Sequence, residues 1–480
     1  MRVNDLELIG AASVSVAIGL AAGDWLAGVC ILALLIAVKL VWTGDGVFVL
    51  PIALSFHWMQ GSLGVLYYGF TGRMLPAIES SDYRPMVLIA LGCVLSMAAG
   101  IRLGLMLKKA PDPNMPRPGF AFSFGLLVTV YAITVVAEGA LSRAVPDYPS
   151  LRQILVTFES GRLGVLFLIL RRLCSPPPRF GLVGLVVVGE IGLGLTGYFA
   201  GFREPIVLAV LAVLEVFDRK KANHWMALAA ASVAIMALGI LWMGIRTDIR
   251  KDYEQIDNYA EGTRTSRANR VEDLTGTFLK NDAQNIWSTT DILVDRMWTI
   301  YYPALAIKRV PSVFPHTDGA IIGAALLHIV TPRVFFPNKK DLPSDSDEVR
   351  KYSGVYVAGR EVNTSIAFGY SAESYIDFGV PLMFAPVFAF GIFVGFCYAA
   401  FRSLIWHREL FVAFATVSFW VGLYLFERSW ATMAGVTTAF MVYLGGPIVL
   451  LDRFLLIQYG KQSAAADQAI MLSPAEQRRA

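Results

Sequence analysis

Glu373 and Asp377 stand i, i+4 in "SIAFGYSAESYIDFG" (365–379), directly ahead of an apolar run that begins at Val380. If the stretch is helical, both carboxylates share a face with Tyr370. A carboxylate at the mouth of a membrane pocket could act as a general base towards a hydroxyl, its pKa set by burial and by any nearby cation. The alternative is that the pair charges the first turn of the helix starting near Val380, where anions favour the helix dipole. Asp377, immediately before Phe378-Gly379, suits the alternative better. Cations accompany them: Arg203 in the turn "GYFAGFREP", Arg246 in "MGIRTDIRK" and Arg428 in "FERSW". Singly, such arginines snorkel to lipid headgroups. Gathered on one side, guanidinium forks could bind a phosphate or diphosphate through paired hydrogen bonds. A long polar stretch adds Arg264, Arg267, Arg270, Arg333, Lys339, Lys340, Arg350 and Arg360, most of them expected to be solvated surface.

Other polar residues carry weaker chemistry. His328 lies in the short apolar run "GAIIGAALLHIV", where a satisfied core histidine competes with a second candidate base. Asp-x-Asp in "SDSDE" (344–348) reads as an acidic loop rather than a metal site, and Asp24 is a lone acid in a turn. Glu159 and Arg162 lie i, i+3 in one apolar run and Glu190 in another, as a helix-pinning ion pair or a functional group would. Cys30, Cys93, Cys174 and Cys397 form no CxxC, which leaves no thiolate metal site and no disulfide framework.

The elements that must position these groups are membrane helices. A chain of 480 residues that is 56% hydrophobic and 16% charged, with mean hydropathy +0.56, is too apolar for a soluble enzyme. A net charge of +4 gives no reason to expect a nucleic-acid partner. Apolar runs near 6–22, 25–42, 46–70, 86–106, 119–140, 154–170, 180–200, 204–217, 225–245, 380–401, 410–426 and 432–451 predict an all-α polytopic integral membrane protein with about twelve transmembrane helices. "MRVNDLELIG" shows no small-residue cleavage site and is read as the start of a retained first helix. Lys and Arg are richer in "LKKAPDPNMPRP", "RRLCSPPPR", "DRKKANH" and "RSLIWHRE" than in the alternate connections, which places both termini in the cytoplasm. The expected organisation is nine helices over 1–245, a large external loop over 246–379, three helices over 380–451 and a disordered cytoplasmic tail over 452–480. Within the loop, Trp287, Val294, Trp298, Tyr301 and Leu305 recur at helical spacing, as for one interfacial helix. The run 319–330 is too short to span and is expected to be buried or re-entrant.

"TPRVFFPNKKDLP" (331–343), followed after a polar stretch by "SIAFGYSAESYIDFG" and a long apolar helix, resembles the C-terminal part of Wzy-type polysaccharide repeat-unit polymerases, the O-antigen polymerase-like family. The resemblance rests on Pro332 and Arg333, Pro337 and Lys339, then Glu373, Tyr375, Phe378 and Gly379, with the Arg203 turn "GFREP" beside them. It covers roughly a third of the chain, mostly 200–217 and 331–400. It implies a multi-spanning glycosyltransferase of the bacterial inner membrane that uses a lipid-linked donor and moves a growing glycan from undecaprenyl diphosphate to the next lipid-linked repeat unit. Glu373 would then be the base, with His328 as runner-up; Arg203, Arg246, Arg333, Lys339 and Arg428 would contact the diphosphate and Tyr375 the substrate. No cofactor and no metal are implied. Implied partners are the undecaprenyl diphosphate-linked oligosaccharide and membrane lipids, with a flippase and a chain-length regulator beyond them. An O-antigen ligase, a twelve-helix transporter and a non-catalytic export subunit remain the alternatives.

Overall fold

The computed structural model describes residues 5–73, 83–108, 122–144, 152–195, 203–218, 220–254, 286–333, 335–336, 338–359, 361 and 365–471. The chain is all-helical over these residues. Helices α1 (Asp5–Ala21), α2 (Trp25–Val41), α3 (Val49–Phe70), α4 (Arg84–Met106), α5 (Phe124–Ala144), α6 (Arg152–Cys174), α7 (Phe180–Leu195), α8 (Arg203–Glu215) and α9 (Ala222–Glu254) follow the predicted apolar runs. After them come α10 (Ile286–Met297), α11 (Tyr301–Arg309), α12 (Ala320–Val330), α13 (Asp345–Ser353) and α14 (Tyr370–Phe378). The chain closes with α15 (Phe384–Leu404), α16 (Arg408–Leu423), α17 (Trp430–Ala439), a π-helical turn Phe440–Gly445 and α18 (Gly446–Met471). Four helical stretches, Val49–Phe70, Arg84–Met106, Phe384–Leu404 and Trp430–Gln458, are long and apolar enough among the described residues to cross a membrane, so the chain reads as a membrane protein.

The tightest helix pair is α4 with α15. Gly100 and Gly104 on α4 face Gly391 and Gly395 on α15, each helix carrying a Gly-x-x-x-Gly stripe. A Cβ at Gly391 would lie 2.5 Å from Met97 O, and one at Gly395 would collide with Ile101 O, so the backbones touch. Contacts advance together along both helices, Gly92 on Phe384, Gly100 on Phe388 and Gly104 on Ile392, so the pair is parallel. If both helices span, the chain crosses an odd number of times between them. Helix α6 packs on α5, α7, α8 and α16, and α16 on α3 and α17, which joins the two ends of the chain in one apolar core.

Helices α10–α14 form a cap over one end of this bundle. The cap has its own small core of Ala306, Val310, Val349, Tyr352, Val357, Phe368, Ala372 and Ile376. The expected single interfacial helix through Trp287 and Leu305 is instead two, broken at Trp298–Ile300. There Trp298 Nε1 donates to Gly61 O at 3.1 Å and Thr299 N to Gln60 O at 3.1 Å, the latter using a backbone N–H that a continuous helix would give to Asp295 O. At the opposite end, carboxylates join elements far apart in sequence. Arg171 bridges Glu215 (2.8 Å) and Glu409 (3.5 Å), Arg402 reaches Asp45 (3.2 Å), and fully buried Asp452 accepts from Trp406 N, His407 N and His407 Nδ1. The tail expected to be disordered continues α18 through Met471; residues 472–480 lie outside the described residues.

The mid-span acid also has an answer. Arg162 bonds Glu190 Oε2 at 2.6 Å, Glu138 Oε2 at 2.5 Å and Tyr131 O–H at 2.9 Å, tying α5, α6 and α7 together. Glu159, its expected neighbour, has its side chain outside the described residues.

Candidate functional site

Helix α14 is almost wholly buried, and it starts at Gly369, whose φ of +91° and 2.5 Å clearance between a Cβ and Phe426 O admit no larger residue. That clearance lets the "FERSW" turn lie directly against α14. From there the two carboxylates reach in different directions. Glu373 Oε2 accepts from Trp430 N at 2.7 Å, the first N–H of α17, while Trp430 Nε1 donates to Ser374 Oγ at 2.9 Å. Asp377 accepts from Ile321 N at 3.1 Å, Ile322 N at 2.9 Å and the Thr317 hydroxyl, at the start of α12. Each acid therefore supplies, from another helix, the acceptor that unpaired N–H groups of a first turn require. The expectation that Asp377 caps the helix after Val380 is corrected: its partners are on α12.

Burial lifts the Glu373 carboxyl to about 8, against a lowering contribution from the Trp430 N–H, and the acids Asp345, Glu348 and Asp377 push the same way as burial. Arg428, expected at a diphosphate, lies in the turn that packs on α14. Its guanidinium donates to Val421 O and to Gly422 O (3.3 Å) and lies 4.8 Å from the centre of the Tyr424 ring. The next carbonyls of the same helix end are taken by side chains of α3: Leu423 O by His57 Nε2, and Tyr424 O by Gln60 Nε2 at 2.9 Å. Arg428 is thus one of three side chains closing the C-terminal end of α16. Tyr375, expected at the substrate, donates to Val310 O at 3.2 Å within the cap. His57 and Gln60 were not among the sequence candidates, although "HWMQ" inside an apolar run was a signal that polar groups there must find partners.

A consequence for Glu373 follows from these contacts. Its folded pKa lies above the ordinary 4.5, so the native state binds more protons and stability falls as pH rises from about 4.5 to about 8. Glu373→Gln keeps an acceptor for Trp430 N and is expected to flatten that pH dependence. Glu373→Ala strands a buried N–H and is expected to cost about 1–2 kcal/mol. Denaturation curves in detergent between pH 5 and 9 check both.

A second group forms at the far end of α12. Lys339 Nζ donates to His328 O at 2.8 Å, and Arg333 pairs with Asp341. Burial first, then the charges of Lys339 and Arg333, hold the His328 imidazole below its ordinary 6.5, so it is neutral at pH 7. Burial and Arg333 likewise lower Lys339. Around them the surface is apolar and open: Leu327, Val330 and Phe335 are 64%, 70% and 76% exposed, with Leu326 and Phe336 beside them. Helix α12 is 11 residues long, too short to cross, and buries only Ile322 and Ala325 well, lying along the start of α17 where Ile329 meets Gly435.

Of the sequence candidates, the structure therefore brings together His328, Arg333 and Lys339, and separately Glu373 with the backbone beside Arg428. Arg203 opens α8 and Arg246 lies in α9, but both side chains are outside the described residues. Asp345 and Asp347 of the Asp-x-Asp sit in the first turn of α13, where Ser344 Oγ accepts from Asp347 N at 3.1 Å. Asp24 is the N-cap of α2 through Leu26 N at 2.9 Å. Both acids sit at helix starts, and no group of three or more His, Cys, Asp or Glu is gathered at one point among the described residues.

Residues 126–404 match a family model described as a domain of unknown function, DUF8712. The chain belongs to the DUF8712 family. The DUF8712 region runs from α5 to the end of α15, so it takes in His328, Arg333, Lys339, Glu373 and Tyr375 and stops before Arg428. No curated protein and no solved structure matches the chain.

Proposed function

We propose that this DUF8712 protein is a multi-spanning glycan transferase of the bacterial inner membrane that joins oligosaccharide repeat units carried on undecaprenyl diphosphate. One observation carries the reading: His328, Arg333 and Lys339 gather on a hairpin whose neighbouring residues Leu327, Val330, Phe335 and Phe336 are apolar and exposed. A lipid-linked diphosphate is a charged head on a hydrocarbon chain, and a receptor for it needs cations directly beside a lipid-facing surface.

In this reading Arg333 and Lys339 bind the diphosphate. The acceptor hydroxyl gives its proton to neutral His328 while its oxygen bonds the anomeric carbon; the bond from that carbon to the phosphate oxygen breaks, and the cations stabilise the departing diphosphate. Glu373, protonated at neutral pH, takes the positioning role of holding α17 against α14, rather than the base role first expected of it. Twelve crossings, α1–α9, α15, α16 and the helix from Trp430, put five between α4 and α15, which suits their parallel packing. The cap then faces outward, opposite the arginine-rich connections.

The test is the surface glycan of a strain lacking the chain. Wild-type protein is expected to restore a polymer ladder. Arg333→Ala with Lys339→Ala, expressed to the same level, is expected to leave single repeat units on the lipid carrier, with chain-extension rate down about 100-fold or more. A normal ladder from the double variant would end the proposal. The same assay, with lipid A core as acceptor, separates ligation from polymerisation.

A further inference from the structure

At the cap-facing end of α3, the turn after it and helices α10 and α11 build a ledge of aromatic rings and ions that shares no residue with the His328 group. Tyr67 and Tyr68 stack edge-on at 5.5 Å; Tyr68 is 6.2 Å and Tyr83 4.8 Å from Trp298; Tyr301 and Tyr302 continue the row at 5.1 Å. Trp298 is locked in place, its indole pressed on the bare backbone of Gly64 and its N–H on Gly61 O. Carboxylates interleave with the rings. Tyr67 O–H donates to Asp291 at 2.6 Å, Arg73 to both oxygens of Asp291 at 2.8 and 2.9 Å, and Tyr68 O–H to Asp295 at 2.9 Å. The outer members, Tyr301, Asp295 and Arg296, are exposed.

We propose that this ledge binds the saccharide part of a glycan, as a subsite for sugar rings distinct from the diphosphate group. Trp298 and Tyr83 are buried and back the row, while the partly exposed rings of Tyr67, Tyr68 and Tyr302 and the exposed ring of Tyr301 offer apolar area to the C–H faces of pyranoses, and the phenol, carboxylate and guanidinium groups around them exchange hydrogen bonds with sugar hydroxyls. Two acids, Asp291 and Asp295, balance two arginines, Arg73 and Arg296, so the surface suits a neutral polyhydroxylated ligand better than the cation-rich groove a nucleic acid needs. The rings are already held by one another and by α3, so little ordering entropy opposes binding. A lipid-linked oligosaccharide seated with its diphosphate at Lys339 would have its distal sugars free to reach other parts of the cap. The inference rests on the glycan-handling reading, but its test uses no lipid-linked substrate and no transfer.

The probe is a set of fluorescently labelled oligosaccharides of a few repeat units, made by mild acid hydrolysis of the host cell's own surface polysaccharide. Fluorescence polarisation with the full-length protein in lipid nanodiscs is expected to show saturable binding. Tyr301→Ala and Asp295→Asn, both at exposed positions, are each expected to weaken it about tenfold. Tyr301→Phe keeps the ring and is expected to stay within about twofold. Lys339→Ala is expected to bind these lipid-free probes as wild type does. Absence of binding to wild type, or equal binding by Tyr301→Ala and Asp295→Asn, overturns the ledge; polymer loss in the Arg333 and Lys339 double variant is a separate readout that stands or falls without it.

Discussion

Gly395→Ile is expected to remove most of the folded protein. In the α4–α15 pair, a Cβ at position 395 would overlap Ile101 O and lie 2.9 Å from Ile101 C, and both are backbone atoms that cannot swing aside as a side-chain end would. The partner stripe offers no relief, because Gly104 is equally tight against Ile392 O and Phe396 N. Within a bilayer no hydrophobic driving force favours helix association, so close backbone contact and the Cα–H to carbonyl contacts it permits hold the pair. Separating the helices forfeits that attraction along their whole length. Overpacking a core ordinarily costs about 1–3 kcal/mol, and a backbone collision in the central helix pair belongs at or beyond the upper end. The control is Gly189→Ile on α7, where an added Cβ meets nothing within 4 Å. Size-exclusion profiles of fluorescently tagged protein in mild detergent are expected to show a monodisperse peak for Gly189→Ile and aggregate for Gly395→Ile. Equal peaks would mean that the two stripes do not hold the bundle.

This helix pair also marks how far the sequence could be read. The predicted apolar runs are helical over their described residues, and for the four long enough to span, a lipid surrounding leaves the backbone no partner outside the helix. The partnering of those helices was not legible: "GIRLG" and "GIFVG" stand almost 300 positions apart, and nothing local states that they meet. The same holds for the site. The i, i+4 spacing of Glu373 and Asp377 did announce a shared helix, yet one turn of rotation and the burial of α14 send them to the starts of two different helices, α17 and α12. Arg428 was expected at a ligand because arginines in turns on one side could converge on a phosphate, and the structure shows its guanidinium on the carbonyls of Val421 and Gly422, while His57 and Gln60 take those of Leu423 and Tyr424. Both cases have one cause. Helix ends demand partners as strongly as ligands do, and only the tertiary arrangement says which demand a polar residue meets. Arg333 and Lys339 were legible because they stand eight and eleven positions or fewer from His328 and Asp341, so a single hairpin brings them together.

That local cluster supports the sharpest functional expectation. A general base must be unprotonated and within reach of the proton it takes, and His328 meets the first condition because burial, Lys339 and Arg333 each disfavour the imidazolium. His328→Ala is expected to lower the rate of chain extension about 100-fold or more while leaving the fold intact, since Lys339 bonds the His328 backbone carbonyl, which alanine retains. The pH profile separates this from a merely structural role. In wild type the rate is expected to stay level through pH 7 and fall only at a pH below 6.5, where the imidazole gains its proton. Lys339→Met removes one of the charges that opposes protonation, so the His328 pKa rises and the acid limb moves to higher pH. That movement is read from the position of the limb, independently of how far the lost diphosphate contact lowers its height. An acid limb that stays where it was in Lys339→Met, or a His328→Ala variant that extends chains at the wild-type rate, would take the proton-accepting role away from His328. A titration in the same window that vanished only in Glu373→Gln would return that role to the carboxyl on α14.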